Sequence, residues 1–100
     1  MDAMQQLVMT TRVIEKLRSK HKVDVSEVRQ CFLNRSGKLL FDTREEHKTT
    51  PPTLWFIAPT NRNRLLKIVY IQDSYKVLLK SAYEPNDMEC SIYRQFGGAI

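Results

Sequence analysis

An α+β fold is expected, with two amino-terminal helices, an antiparallel sheet of three to four strands and a carboxy-terminal helix. Three observations predict it. Helical spacing and capping signals gather before residue 35 and after residue 85. Runs of β-branched and aromatic residues fill the stretch between, and only short turns separate those runs, which favours a meander over crossover connections. The 100 residues bound this to a single domain over 1–100, long enough to bury one core. Residues 1–9 and 97–100 are expected as its flexible ends.

Each element follows in order. Leu7-Val8-Met9 is too short to classify and leaves an extra amino-terminal strand open. Thr10 and Thr11 are helix caps, and Val13, Ile14 and Leu17 recur on one side of the helix they start. Arg12, Lys16 and Lys20 form an adjoining stripe, with Arg18 and Lys22 round the back. His21 falls on the Leu17 side, which suits a packed or capping residue better than a free base. Asp24-Val25-Ser26-Glu27 fits a capping box. Val25, Val28, Cys31 and Phe32 carry the second helix to about Leu33, and Asn34-Arg35-Ser36-Gly37 stops it. Leu39-Leu40-Phe41 is extended, and Asp42 to Thr50 is a polar surface loop, or a strand with a loop, whose end Pro51-Pro52 keeps out of helix.

Thr53 to Ala58, Arg64 to Ile71 and Tyr75 to Tyr83 then read as three strands. Strict alternation in the last puts Val77, Leu79, Ser81 and Tyr83 on one face, and Leu78, Lys80 and Ala82 on the other. Asn86 with Glu89 three residues on caps a terminal helix. Met88, Ile92 and Phe96, four apart, are the stripe expected to close the core, and Gly97-Gly98 frees the tail.

Sixteen basic against eleven acidic side chains leave a net charge of +5. Arg12, Lys16, Arg18, Lys20 and Lys22 are opposed locally only by Glu15. Such a cluster attracts polyanions, so RNA or an acidic protein is the expected partner, the plain alternative being a solvated helix face. There is no apolar run of the ~20 residues a membrane span needs, nor the basic start of a secretory signal. A cytoplasmic protein with no membrane partner is expected. Cys31 and Cys90 are expected to be free thiols, buried as small apolar groups. With no Cys-x-x-Cys and no His pair at helical spacing, neither a metal nor another cofactor is expected. The glycine-rich phosphate loop and the Gly-x-Ser-x-Gly elbow are missing too.

One hypothesis for these residues is metal-independent RNA cleavage. It needs a base for the 2′-hydroxyl, cations for charge gathering on phosphorus, and an acid for the departing oxygen. His47 or Glu46 is the candidate base. Arg44, Lys48, Lys67 and Lys80 are candidates for the phosphate, and Tyr83 or Tyr93 for positioning a base or giving a proton. Trp55, where exposed, stacks a nucleobase. Each has a plainer reading: Trp55 as core, the Glu45-Glu46-His47 loop as merely hydrated, Lys67 and Lys80 as edge protection, and Glu89 with Tyr93 as packing for the last helix.

Two segments carry a resemblance. Lys20-His21-Lys22-Val23-Asp24 through Phe32 is similar to a Lys-His-Gly-Val turn entering a helix with an acidic residue and a terminal Phe. Ser81-Ala82, then Glu89 and Tyr93, is similar to a strand ending in Ser-Ala-Arg followed by a helix bearing Glu and Tyr. With Leu65 to Tyr70 as the central strand, the chain resembles the BrnT family of bacterial toxins, small ribonuclease-type proteins with a RelE-like fold. The resemblance implies RNA cleavage and a cognate antitoxin protein as partner. Two positions depart from it. Lys22 stands where the family has Gly, and Tyr83 stands where it has Arg, which clamps phosphate bidentately as Tyr cannot.

Two other classes compete. One is a non-catalytic protein- or RNA-binding module on the same scaffold, its basic first helix receiving the partner. The other is a small hydrolase acting on a nucleotide or sugar. Within the latter, ADP-ribosyl-dinitrogen-reductase hydrolases are large helical proteins with an Asp-rich dinuclear magnesium site. Asp2, Asp24, Asp42, Asp73 and Asp87 are the only aspartates here and do not supply one.

Overall fold

The computed structural model describes residues 6–43 and 51–100. The chain runs β1 (Gln6–Val8), α1 (Thr11–Lys16), a π-helical turn (Leu17–His21), α2 (Val25–Asn34), β2 (Leu40–Phe41), β3 (Thr53–Pro59), β4 (Leu65–Asp73), β5 (Lys76–Tyr83) and α3 (Asp87–Phe96). This is the expected α+β order. The sheet has five strands in the order β1-β5-β4-β3-β2. That is one strand more than the three to four expected, and the sheet is mixed because the amino-terminal strand left open by the sequence, β1, pairs parallel with β5 through Leu7 and Val77. The first residues described are therefore held in the sheet.

Local chemistry accounts for the helix ends. Thr10 Oγ1 accepts from the Val13 amide, and α1 then widens into its π turn instead of continuing as one regular helix to Lys22. Lys22 ends that turn in the left-handed region, at φ 57°. Asp24 and Glu27 form the expected capping box on α2, and Asn86 and Glu89 form another on α3. Both give the first-turn amides partners that no helix supplies for itself.

The register sorts the sheet into two faces, since directly paired residues project to the same side. Phe56, Ile68 and Ala82 lie in one row and Ala58 pairs with Leu66. The turn after α1 and the helix α2 cover that face with Leu17, Val23, Val28 and Cys31, all buried. Phe32 meets Phe56 and Tyr70 edge to face, and the Cys31 thiol donates to the Ala58 carbonyl at 3.4 Å. On the opposite face, Trp55 pairs with Val69, and Ile57, Lys67 and Tyr83 form the next row. There α3 packs Tyr93 against Trp55, with ring centroids 5.6 Å apart.

Two expectations about facing fail, each for a definite reason. Val69 pairs with Ser81 but Tyr70 pairs with Leu79, so Lys80 is the extra residue of a β-bulge. An extra residue shifts the alternation by one. Ala82 therefore joins Val77 and Leu79 on the buried face, while Ser81 and Tyr83 go to the other. Second, Met88, Ile92 and Phe96 do not close the core; they are 72%, 40% and 61% exposed. Glu89 and Tyr93 face the sheet in their place. Tyr93 is fully buried and donates its hydroxyl to the Lys38 carbonyl at 2.6 Å, which fixes the rotation of α3. A methyl group on Gly37 or Gly97 would run into the Tyr93 ring. The tail beyond Gly97 is tied rather than freed. The Lys38 amide donates to the Gly97 carbonyl at 2.8 Å, and Ile100 packs on the core.

Candidate functional site

Lys67 is the third residue of the central strand β4, on the face that α3 only partly covers, and is 7% exposed. An ammonium there requires partners, and it has three. Its Nζ donates to Glu89 Oε2 at 2.8 Å, lies 4.5 Å from the centroid of the Trp55 ring, and lies 5.7 Å from that of Tyr83. The Tyr83 hydroxyl donates to the same Glu89 oxygen at 3.1 Å. Glu89 Oε1 meanwhile accepts from the Asn86 amide at 3.0 Å as part of the helix cap. One carboxylate thus closes the cap of α3 and joins strands β4 and β5 to that helix. Burial alone would raise its pKa. The Lys67 ammonium, the Asn86 amide and the Tyr83 hydroxyl outweigh that and hold Glu89 below its ordinary value.

Tyr83 also reaches the other side of the sheet end, where its ring centroid lies 5.5 Å from that of His21. Arg64 holds His21 there. Its guanidinium donates to the His21 carbonyl at 3.3 Å, the Lys22 carbonyl at 2.9 Å and Glu27 at 3.0 Å. Its Nε donates to Glu84, the neighbour of Tyr83, at 2.7 Å. Arg64 therefore clamps the turn ahead of α2 against the end of β5. Burial, and then Lys20 and Lys16, lower the His21 pKa, so the imidazole is neutral near pH 7. His21 is half-buried, with its ring beside that of Tyr83.

Arg12, Lys16, Arg18, Lys20 and Lys22 are all exposed. They are strung along α1, its π turn and Lys22, on both sides of His21. Among the described residues Arg18 alone of the five forms an ion pair, with Asp24 at 3.7 Å. Lys80 is half-buried at the bulge and does not line the groove described next. Tyr93 is buried with its hydroxyl committed to Lys38. Arg44, Glu45, Glu46, His47 and Lys48 lie outside the described residues. The structure thus joins Lys67 and Tyr83 from the expected set and adds His21 and Glu89 to them. The four-residue spacing of Glu89 and Tyr93 signals that both face the sheet. Only the pairing of β4 with β5 brings Lys67 and Tyr83 into one row.

Beside this cluster runs a groove of about 610 Å³ between β2, β3 and α3. Phe41, Met88, Ile92 and Phe96 form its walls, and Trp55, Lys67 and Glu89 line its depth. Such a volume and such lining, apolar with a few convergent polar groups, are typical of ligand sites. Among the described residues no helix is long and apolar enough to cross a membrane. No protein-family model, curated protein or solved structure matches the chain.

Proposed function

We propose that this chain is a toxin-like ribonuclease that cleaves single-stranded RNA without a metal. The observation that carries the reading is the linked set His21–Tyr83–Glu89–Lys67, which meets the basic face at His21. The order of two helices, an antiparallel meander and a final helix supports the BrnT-like resemblance and its RelE-like fold. In the proposed reaction Lys16, Lys20 and Lys22 draw in the RNA backbone, with Arg12 and Arg18 extending the track. Neutral His21 takes the proton of a 2′-hydroxyl as its oxygen bonds to phosphorus. Lys67 offsets the charge gathering on the phosphoryl oxygens. Tyr83, oriented by Glu89, gives a proton to the 5′-oxygen as its bond to phosphorus breaks. The products are a 2′,3′-cyclic phosphate and a free 5′-hydroxyl. The cognate antitoxin implied by the resemblance is proposed as an acidic protein that competes for the basic face.

The test is incubation of the pure protein with end-labelled single-stranded RNA in the presence of a chelator. Cyclic-phosphate products are expected. Removing a general acid or base costs about 10²–10⁴ in rate, so His21→Ala and Tyr83→Phe should each slow cleavage at least a hundredfold. Cleavage that survives His21→Ala but not the pair Arg44→Ala/His47→Ala would move the chemistry to the loop and overturn this assignment.

A second reading, an RNA-binding module without turnover, is favoured by one observation. Lys67 and Glu89 largely satisfy one another, and Tyr83 stands where the resemblance expects a phosphate-clamping Arg. Salt-sensitive RNA binding with no products would select it.

A further inference from the structure

We propose that the face shared by α3 and β2 is where two copies of this chain meet, as a two-fold pair. The inference stands apart from the RNA reading. Phe41, Met88, Ile92 and Phe96 border one groove and are 63%, 72%, 40% and 61% exposed. They are therefore neighbours on the surface, and a contiguous apolar patch, unlike scattered single residues, marks an interaction site. The rotation of α3 puts them there. Glu89 and Tyr93 take the sheet side of the helix, which leaves the apolar stripe, four residues apart, to solvent.

The area suits a pair of copies. An aromatic side chain carries about 150–250 Å², so the two exposed rings offer roughly 250 Å² together. Met88 and Ile92 raise the exposed apolar surface to roughly 350 Å². A standard interface takes about 800 Å² from each partner, and about 65% of a homodimer interface is apolar. The four side chains supply about two-thirds of that apolar share, with Leu40 and Trp55 in the groove behind them. Asp42, Thr43 and Asn86 border the same groove and give the contact a polar rim. Lys67 and Glu89 are already paired at 2.8 Å, so closing the groove strands neither charge.

Charge and shape select a second copy as the occupant. The chain carries a net charge of +5, and Arg12, Lys16, Arg18, Lys20 and Lys22 all lie on α1, its π turn and the residue after it. The π turn and α2 cover the sheet face opposite α3. Two copies joined through α3 therefore hold these cations outward with both sheets between them, farther apart than the ~8–10 Å over which exposed charges still act in salt. An acidic partner would go to that far face instead. The ridge of α3 and the channel beside it share one face. A two-fold axis thus seats each copy's ridge in the other's channel, the reciprocal contact an isologous pair demands.

Sedimentation velocity of the whole protein, without RNA and over a range of concentrations, tests this. The mass is expected to rise from 11.8 kDa to twice that value and stop there. Added salt should leave the pair intact or strengthen it, because salt screens the repulsion between two basic chains. Ile92→Arg sets two like charges in the contact and should weaken association at least tenfold. Phe41→Ala/Phe96→Ala should weaken it as well without adding charge. Leu33→Arg, on α2 and 73% exposed, makes the same change of charge away from the proposed face and should leave association as it is. All these side chains are exposed, so the variants keep the fold, which circular dichroism checks. A monomer at every concentration would overturn the proposal and leave the face to a partner of another sequence. Equal loss in Leu33→Arg and Ile92→Arg, or none in Phe41→Ala/Phe96→Ala, would place the contact elsewhere. Association that salt disperses would mean a polyanion bridging the basic segments, and growth past two copies would rule out a closed pair; either result sinks the idea.

Discussion

Lys22 shows how much one residue's backbone can reveal. It lies at φ 57°, ψ 39°, where its Cβ crowds the following carbonyl, and a residue other than Gly is held there at a cost of about 1–2 kcal/mol. The chain reverses here, so that Val23 enters the core and Asp24 caps α2. Lys22→Gly should therefore raise stability by about 1 kcal/mol, allowing for glycine's greater freedom when unfolded. The urea midpoint measures it. The same substitution removes one exposed cation, so on the proposed RNA-binding reading it should also lower the salt dependence of that binding. A gain in stability with a shallower salt slope would separate the backbone role of this position from its proposed part in RNA binding.

At the scale of elements, the rotation of α3 is the instructive case. Apolar spacing alone turns Met88, Ile92 and Phe96 toward the sheet. The observed helix is turned so that Glu89 meets Lys67 and Tyr93 meets Trp55 and the Lys38 carbonyl. Leaving the buried lysine of β4 unpaired costs more than exposing three apolar side chains, so the polar partners prevail. A double-mutant cycle checks this. Glu89→Gln keeps the side chain that closes the capping box but leaves Lys67 with no anion, and should cost about 3 kcal/mol. Lys67→Met in that background removes the stranded ammonium and should restore most of the loss. If Lys67→Met added its own full penalty, the pair would not be what orients α3. The helix starts were legible in Thr10, Asp24 and Asn86 because caps act over three residues. The bulge at Lys80 was not, because nothing local to β5 marks which residue β4 will leave unpaired.

For the whole molecule, His21 and Glu89 act in the same direction with pH. His21 is lowered from an ordinary 6.5 by burial and by Lys20 and Lys16. The unfolded chain therefore takes up that proton first as pH falls, and stability begins to drop below 6.5. Glu89, held below its ordinary 4.5 by Lys67 and its other partners against the effect of burial, adds a second decline from about that pH downward. Denaturant midpoints should be level just above 6.5, at least as far as these two groups set them, and fall in two stages on acidification. His21→Gln should flatten the first stage and leave the second. A stability that rose between pH 6.5 and 5 would contradict the burial of a neutral imidazole against Tyr83.

The sequence by itself determined the α+β class, the order of elements from α1 onward, the caps and the basic face. Each depends on residues within a turn or two of one another, where spacing and side-chain chemistry act directly. Tertiary structure alone decided the parallel pairing of β1, the parity of β5 and the meeting of Lys67, Tyr83, Glu89 and His21. Those depend on strand register and helix rotation, which are settled by partners brought from far along the chain. A lysine that reads as a solvated edge residue in one strand becomes the buried centre of a cluster when a carboxylate twenty-two residues later is turned to face it.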